Sequence, residues 1–190
     1  NQSFKAVNNL INGGVDVYRM TNMPAGSAYS NGSFYIPANA KVKAIIDKTV
    51  TENHVQFVAI GQKPNSISKI KKARIALWDM YGGSMPSGWV RFILEKFDYA
   101  FDVIYPKDID TGNLRSKYDV IVFVQGAIPA VSSNIQNTGR GAGNTDSIPD
   151  EFKRMTGRIS AEKSIPQLKI FLEQGGNIVT IGSSTQLAYH

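Results

Sequence analysis

The chain contains no cysteine and only two histidines, His54 and His190, among its 190 residues. Without cysteine, disulfide bonds, thiolate metal sites and a cysteine nucleophile are excluded within this chain. A catalytic zinc site needs three histidine or carboxylate ligands in a recognised arrangement, which two separated histidines do not supply. The sequence therefore predicts no metal site and no cofactor in this segment.

Long apolar runs are also absent, since none approaches the roughly 20 residues needed to cross a bilayer. Even so, 42% of the residues are hydrophobic, which allows a chain of this length to bury a core. We expect a single α/β domain over residues 1–190 without a membrane span. Because the chain starts with Asn1 and ends soon after a predicted strand, we expect it to be a fragment of a longer protein.

Aromatic residues are missing from the most basic stretch, QKPNSISKIKKAR. The net charge of the chain is +6, and five basic residues lie in this stretch: Lys63, Lys69, Lys71, Lys72 and Arg74. A nucleic-acid surface would interleave such residues with aromatic side chains on one face. We therefore predict a solvated basic linker at residues 63–72 and no nucleic-acid partner.

The apolar pattern on either side of this linker predicts regular structure. In the N-terminal part, residues 1–62, helical spacing predicts two helices and short apolar runs predict three strands. The helices span residues 4–11 and 37–53, and the strands span 15–20, 33–36 and 55–60.

Residues 73–190 have a more regular pattern, in which strands alternate with helices. Strands are predicted at 73–78, 101–105, 118–124 and 177–182, and helices at 87–97 and 166–174. Alternation of this kind favours parallel pairing, and the fully apolar strands favour coverage on both faces. The sequence therefore predicts a three-layer, doubly wound and mainly parallel sheet.

Three loops follow the carboxyl ends of these strands, where open α/β sheets bind ligands. The first carries Asp79, Tyr81, Gly82, Gly83 and Ser84 ahead of a helix start, which favours anions. An alternative is that Asp79 and Ser84 only cap the turn while Tyr81 and Trp89 pack.

The second loop carries Gln125 and Gly126, and the third carries Ser183 and Ser184. With the first loop, these four residues complete the predicted ligand-binding site. The glycine-rich residues 139–144 lie too far after the preceding strand for a phosphate cradle, which must sit directly between a strand and a helix.

Three blocks of the sequence, LWDMYGGSMPSGWVRFILEKF, VIYPKDIDTGNLRSKYDVIVFVQGAIP and IPQLKIFLEQGGNIVTIGSSTQLAYH, resemble a known family. This family is the class I glutamine amidotransferase-like domain that follows the catalytic domain in bacterial zinc carboxypeptidases of the carboxypeptidase A type. The resemblance implies a flavodoxin-like, class I glutamine amidotransferase-like fold. It also implies an upstream carboxypeptidase domain that holds the zinc, and an exported protein, periplasmic or extracellular.

The third loop falls where this family carries its nucleophile, on a Gly-x-nucleophile-x-Gly turn. Here Ser184 occupies the nucleophile position and Gln186 replaces the last glycine. The resemblance therefore implies a domain without glutaminase chemistry, an accessory module that binds a peptide or cell-wall fragment or packs on the catalytic domain. The alternative is a serine hydrolase that uses Ser184, which would need a histidine base.

Overall fold

The computed structural model describes residues 2–23, 26–27, 29–131 and 147–190, so that the glycine-rich segment 139–144 lies outside the described residues. The chain divides into two compact units. The N-terminal unit comprises Asn1–Lys72 with Lys96–Tyr99, and the C-terminal unit comprises Ala73–Glu95 with Ala100–His190. Among the described residues, no helix has the length and apolar character that crossing a membrane requires.

The N-terminal unit combines two helices with a three-stranded antiparallel sheet. Its elements are α1 (Gln2–Asn12), β1 (Tyr18–Met20), β2 (Phe34–Tyr35), α2 (Ala40–Asn53) and β3 (Ile67–Lys69). The strand order is β2-β1-β3, with Tyr18 opposite both Tyr35 and Lys69. Both helices contribute to the core, because Val7 and Leu10 of α1 are buried with Val42 of α2.

Helix α2 has a well-defined start and end. The side chain of Asn39 accepts a hydrogen bond from the Val42 amide at 2.9 Å, which satisfies one of the free amides of the first turn. The helix ends at His54, whose backbone is left-handed with φ of 52° and whose amide donates to the Val50 carbonyl. His54 is therefore the C-cap of a helix and does not lie in a strand.

The predicted strand at residues 55–60 was wrong, because this segment is neither a helix nor a paired strand. The third strand is instead β3, which lies inside the stretch predicted as a basic linker. Lys69 of β3 forms an ion pair with Asp16 at 2.7 Å. Since β2 and β3 occupy the two sides of β1, the apolar segment 55–60 has no place beside β1.

The C-terminal unit is an α/β arrangement with four parallel strands flanked by helices. The strands are β4 (Ile75–Trp78), β5 (Phe101–Ile104), β6 (Val120–Phe123) and β7 (Asn177–Thr180). Their order is β5-β4-β6-β7, with Ile75 opposite Phe101 and Val120, and Val120 opposite Asn177. The prediction of a parallel sheet with interleaved helices is confirmed.

In the described part of this unit, four α-helices and two 3-10 helices accompany the sheet. They are α3 (Met85–Lys96), α4 (Pro106–Asp110), α5 (Leu114–Lys117) and α6 (Ser164–Glu173), with 3-10 helices at Asp150–Met155 and Gly182–Tyr189. The two short helices α4 and α5 were not predicted from the sequence, because neither is long enough to show a helical apolar stripe. They contact α6, which buries Ile165, Leu168 and Phe171 in the core.

Candidate strand-end site

The strand order places β4, β6 and β7 side by side, so the loops that follow them leave neighbouring positions along one edge of the sheet. The second loop, which follows β6, is joined directly to the third loop, which follows β7, by hydrogen bonds. Among the described residues, no hydrogen bond joins the first loop to either of them. The predicted site is therefore built from one joined pair of loops and one separate loop.

Asp79, at the end of β4, is buried and fully engaged. Its Oδ1 accepts a hydrogen bond from the Met80 amide at 2.9 Å, and its Oδ2 lies 2.8 Å from Nη2 of Arg91 on α3. Only 4% of the Asp79 side chain is exposed, against 36% for Arg91. The carboxylate thus anchors α3 to the sheet, and the Arg91 side chain is the more exposed member of the pair.

Arg91 is a residue that the sequence reasoning missed. It lies one helical turn after Ser87, which is fully buried, so the two share the face of α3 that turns toward the sheet. A basic residue on the same face of a helix as a buried residue favours a charged partner, because removing an unpaired charge from water is costly. That pattern could have indicated a pair with the carboxylate at the end of the preceding strand.

The rest of the first loop forms a turn and a helix cap. Gly82 and Gly83 both have left-handed backbone, with φ of 81° and 72°, which a side chain would strain. Ser84 accepts a hydrogen bond from the Ser87 amide at 3.3 Å, near the start of α3. The Tyr81 ring lies 6.4 Å from the Phe152 ring, measured between centroids. These contacts correspond to the capping and packing alternative for Ser84 and Tyr81, but Trp89, which was expected to pack, is 63% exposed.

Ser184 connects the second and third loops from a buried position. Its Oγ accepts hydrogen bonds from the Ala127 amide at 3.1 Å and the Ile128 amide at 3.2 Å, and it donates to the Val124 carbonyl. A serine hydroxyl has one donor and two acceptor sites, so its capacity is used completely. The side chain is 0% exposed. This geometry favours a structural role for Ser184 over a catalytic one.

The neighbouring residues of these two loops face solvent. Ser183 is exposed and accepts a hydrogen bond from the Gly126 amide at 3.0 Å. Gly182 approaches Gln125 closely, because an added Cβ would lie 3.2 Å from the Gln125 Cβ. Gln125 and Ser183 are therefore exposed polar side chains in this part of the predicted site.

Neither histidine is placed as a base for Ser184. The Nε2 atom of His190 lies 2.9 Å from the Pro129 carbonyl oxygen, so its ring joins the end of the last 3-10 helix to the second loop. His54 caps α2 in the N-terminal unit. Activation of a serine requires an adjacent base, and no histidine is among the hydrogen-bond partners of Ser184 in the described part of the chain.

The described residues also contain no group of three or more His, Asp or Glu side chains that could hold a metal ion. The fold and the site together define an α/β domain with a parallel sheet, in which two of the strand-end loops are joined by serine hydroxyls. Compared with known proteins, the chain matches no protein-family model, no curated protein and no solved structure.

Proposed function

We propose that this chain is a non-catalytic accessory domain, flavodoxin-like and class I glutamine amidotransferase-like, of an exported zinc carboxypeptidase. The observation that carries the non-catalytic part is the position of Ser184, which is buried at the nucleophile position with its hydroxyl fully hydrogen-bonded. A nucleophile must reach substrate and a base. This serine instead holds two loops together.

The strand order supports the flavodoxin-like part of the proposal. In chain order the C-terminal strands are β4, β5, β6 and β7, and in space they are arranged β5-β4-β6-β7. This corresponds to the first four strands of the flavodoxin-like order 2-1-3-4-5. The zinc carboxypeptidase and the export rest on the family resemblance of the three sequence blocks, since fold alone does not assign function.

The outer face of α3 supports a packing role for the domain. Met85, Trp89 and Ile93 are more than half exposed, with Trp89 at 63%. The Trp89 ring meets the Phe92 ring edge to face, with 6.3 Å between centroids. Exposed large apolar side chains gathered on one helix mark an interaction surface. We assign this surface, Met85, Trp89, Phe92 and Ile93, to contact with the upstream carboxypeptidase domain.

The ligand-binding form of the same proposal rests on the polar groups at the strand ends. Gln125, Ser183, Gly82 and Gly83 are exposed, and 36% of the Arg91 side chain is exposed. A guanidinium pairs well with a carboxylate, so a peptide or cell-wall fragment with a free carboxylate is the ligand class that fits. Its binding would be weakened by Gln125→Ala without a change in the catalytic rate of the zinc domain.

The test is to compare the full-length protein with a version that lacks residues 1–190 and with a Trp89→Gln/Ile93→Gln variant. We expect bound zinc and peptidase activity in the full-length protein and none in the isolated 190 residues. The thermal midpoint of the zinc domain should fall in both altered proteins if α3 packs on it. A full-length protein without zinc, or hydrolysis by the isolated chain, would overturn the proposal.

The serine-hydrolase alternative has its own test. A fluorophosphonate probe labels an activated serine, so the proposal expects no labelling of the native protein. Labelling that disappears in Ser184→Ala would establish the hydrolase. Ser183→Ala is the matched control, because Ser183 is the neighbouring serine that is exposed.

A further inference from the structure

The N-terminal unit contains an open groove of about 1040 Å³ that the strand-end site does not explain. Its walls are formed by α1, β2, α2 and residues 55–60. Apolar side chains dominate the lining, and Lys43 is the charged residue among the described lining residues. A groove of this size exceeds what a single buried side chain needs and matches the volume of binding clefts.

One wall of the groove has main-chain groups without partners. Among the residues that the structure describes, none forms a hydrogen bond with the backbone of residues 55–60. Most main-chain donors and acceptors in folded proteins are paired, and those that are not are open to water or to another chain. This segment therefore has the hydrogen-bonding capacity of an unpaired strand edge.

The side chains of the same segment have the pattern of a strand. Over residues 55–58, Val55 and Phe57 are partly buried and Gln56 and Val58 are exposed, as along a strand with one covered face, whereas Ala59 is exposed and Ile60 is partly buried. Phe57 packs against the core of the N-terminal unit, which holds the segment in place. Val58 is 71% exposed, so the outer face of this apolar run, VQFVAI, remains uncovered. Val, Phe and Ile all favour strands.

The charge of the N-terminal unit indicates the kind of partner. Residues 1–72 contain nine Lys and Arg against three Asp and Glu, whereas residues 73–190 contain twelve of each. All of the net charge of +6 therefore belongs to the first 72 residues. An excess of one sign attracts partners of the other sign and speeds their association.

We propose that residues 55–60 bind an extended peptide by strand addition. The peptide alternates apolar and polar residues, inserts its apolar side chains into the groove, and carries acidic residues at its ends. Main-chain hydrogen bonds between the peptide and residues 55–60, paired as in a β-sheet, supply binding energy. The groove accepts every second side chain of the peptide, and the positive charge of the N-terminal unit favours an acidic peptide. This proposal is independent of the accessory role proposed above, because it concerns the N-terminal unit alone.

The probe is a fluorescein-labelled peptide of sequence EEVTVTVTEE, titrated with the 190-residue protein and followed by fluorescence anisotropy. The comparison peptide is KKVTVTVTKK, which keeps the apolar alternation and reverses the charge. We expect saturable binding of the acidic peptide and at least about tenfold weaker binding of the basic one. Equal affinity for the two peptides, or no saturable binding of the acidic peptide, would overturn the proposal.

Hydrogen exchange locates the binding. Addition of the acidic peptide should slow amide exchange within residues 55–60, because those amides become donors in a ladder. Slowed exchange elsewhere with no change in 55–60 would contradict the proposal. The proposal would also be overturned if, without peptide, amide exchange in residues 55–60 became slower as the protein concentration rose. The segment would then be bound by a second copy of the chain.

Proline variants test the ladder itself. Successive amides along a strand point to opposite sides, so either the Val58 or the Ala59 amide faces the added peptide. Proline removes the donor, and therefore Val58→Pro or Ala59→Pro should weaken binding about tenfold. Val58→Thr and Ala59→Ser keep the amide and are the matched controls. The proposal fails if both proline variants remain folded by circular dichroism and bind the peptide like the native protein.

Discussion

Arg74 and Asp119 form a two-point ion pair between β4 and β6 at the end of the sheet opposite the strand-end loops. The Nη2 atom of Arg74 lies 2.9 Å from Oδ1 of Asp119, and Nε lies 3.0 Å from Oδ2. The Arg74 amide also donates to Oδ2 at 2.9 Å. Arg115 of α5 adds a contact to Oδ1 at 2.6 Å. One carboxylate thus connects two strands and a helix.

These contacts make the free energy of unfolding depend on pH in the acid range. The Arg74 side chain and amide, which donate to the carboxylate, hold the pKa of Asp119 well below its ordinary value. A carboxyl group whose pKa is lowered in the folded state stabilises the fold when the pH is above its unfolded-state pKa of about 3.9. That contribution is lost as the pH falls below this value toward the folded-state pKa. We therefore expect Asp119→Asn to lower the free energy of unfolding at pH 7, with a smaller difference from the native protein at pH 2.

Urea unfolding at both pH values measures this difference. Asp150→Asn is the control, because Asp150 pairs with Lys153 at the surface with 92% of its side chain exposed. Exposed pairs contribute little, so this variant should behave like the native protein at both pH values. A loss in Asp119→Asn that is the same at pH 7 and pH 2 would contradict the pH argument.

Ser184→Ala tests the serine that joins the two strand-end loops. Removal of its hydroxyl leaves the buried Ala127 and Ile128 amides without that acceptor, which costs about 1–3 kcal/mol. Ser183→Ala removes an acceptor at an exposed position, where water replaces it, and should cost less than about 1 kcal/mol. Urea unfolding of the two variants decides the point, and equal losses would contradict the structural role of Ser184.

Asp79→Ala tests the anchor between β4 and α3. The variant leaves the Met80 amide and the Arg91 guanidinium without the carboxylate. Loss of a fully buried pair costs about 3–5 kcal/mol, but Arg91 is 36% exposed and keeps contact with water. We therefore expect a smaller loss of about 1–3 kcal/mol. Asp79→Asn, which keeps an oxygen for the Met80 amide, should cost less in the same unfolding measurement. A larger loss for Asn than for Ala would contradict this account.

Substitution of glycine by alanine should change the stability of the protein in opposite directions at two positions. An added Cβ at Gly176 would lie 2.4 Å from a ring carbon of Phe171, which is buried. Gly176→Ala should therefore destabilise the protein by about 1–3 kcal/mol through overpacking. At Gly88, within α3, nothing lies within 4 Å of an added Cβ. Gly88→Ala should stabilise by about 0.5–1 kcal/mol, because alanine favours the helix. Thermal unfolding separates the two variants, and a shift of the same sign in both would refute the argument.

The four strands of the parallel sheet were predictable, with ends that differ by up to two residues. Their apolar runs are long enough to identify, although burial on both faces holds for β4 and β6 and not for the edge strand β7, in which Val179 is 47% exposed. The cap formed by Ser84 was also available as an alternative, since a serine ahead of a helix bonds to first-turn amides within a few residues. Such features depend on neighbours in the sequence.

The partners of Ser184 and Arg74 were not predictable in the same way. Ser184 Oγ reaches amides 56 and 57 residues away in sequence, and Arg74 reaches Asp119 over 45 residues. Which distant groups meet depends on strand order and register, and these are decided by packing of the whole sheet. The predicted strand at residues 55–60 failed for a related reason, because a strand requires a partner that local sequence does not specify.

The sequence by itself determined the absence of thiol chemistry, the alternation of strands and helices after residue 72, and the position of all net charge before residue 73. These depend on composition and local periodicity, which the chain carries in any conformation. Only the tertiary structure decided that Ser184 is a buried connector, that Asp79 belongs to an ion pair, and that residues 55–60 line a groove without backbone hydrogen bonds to any described residue. Each of these depends on contacts between distant residues, which form only when the sheets and helices pack.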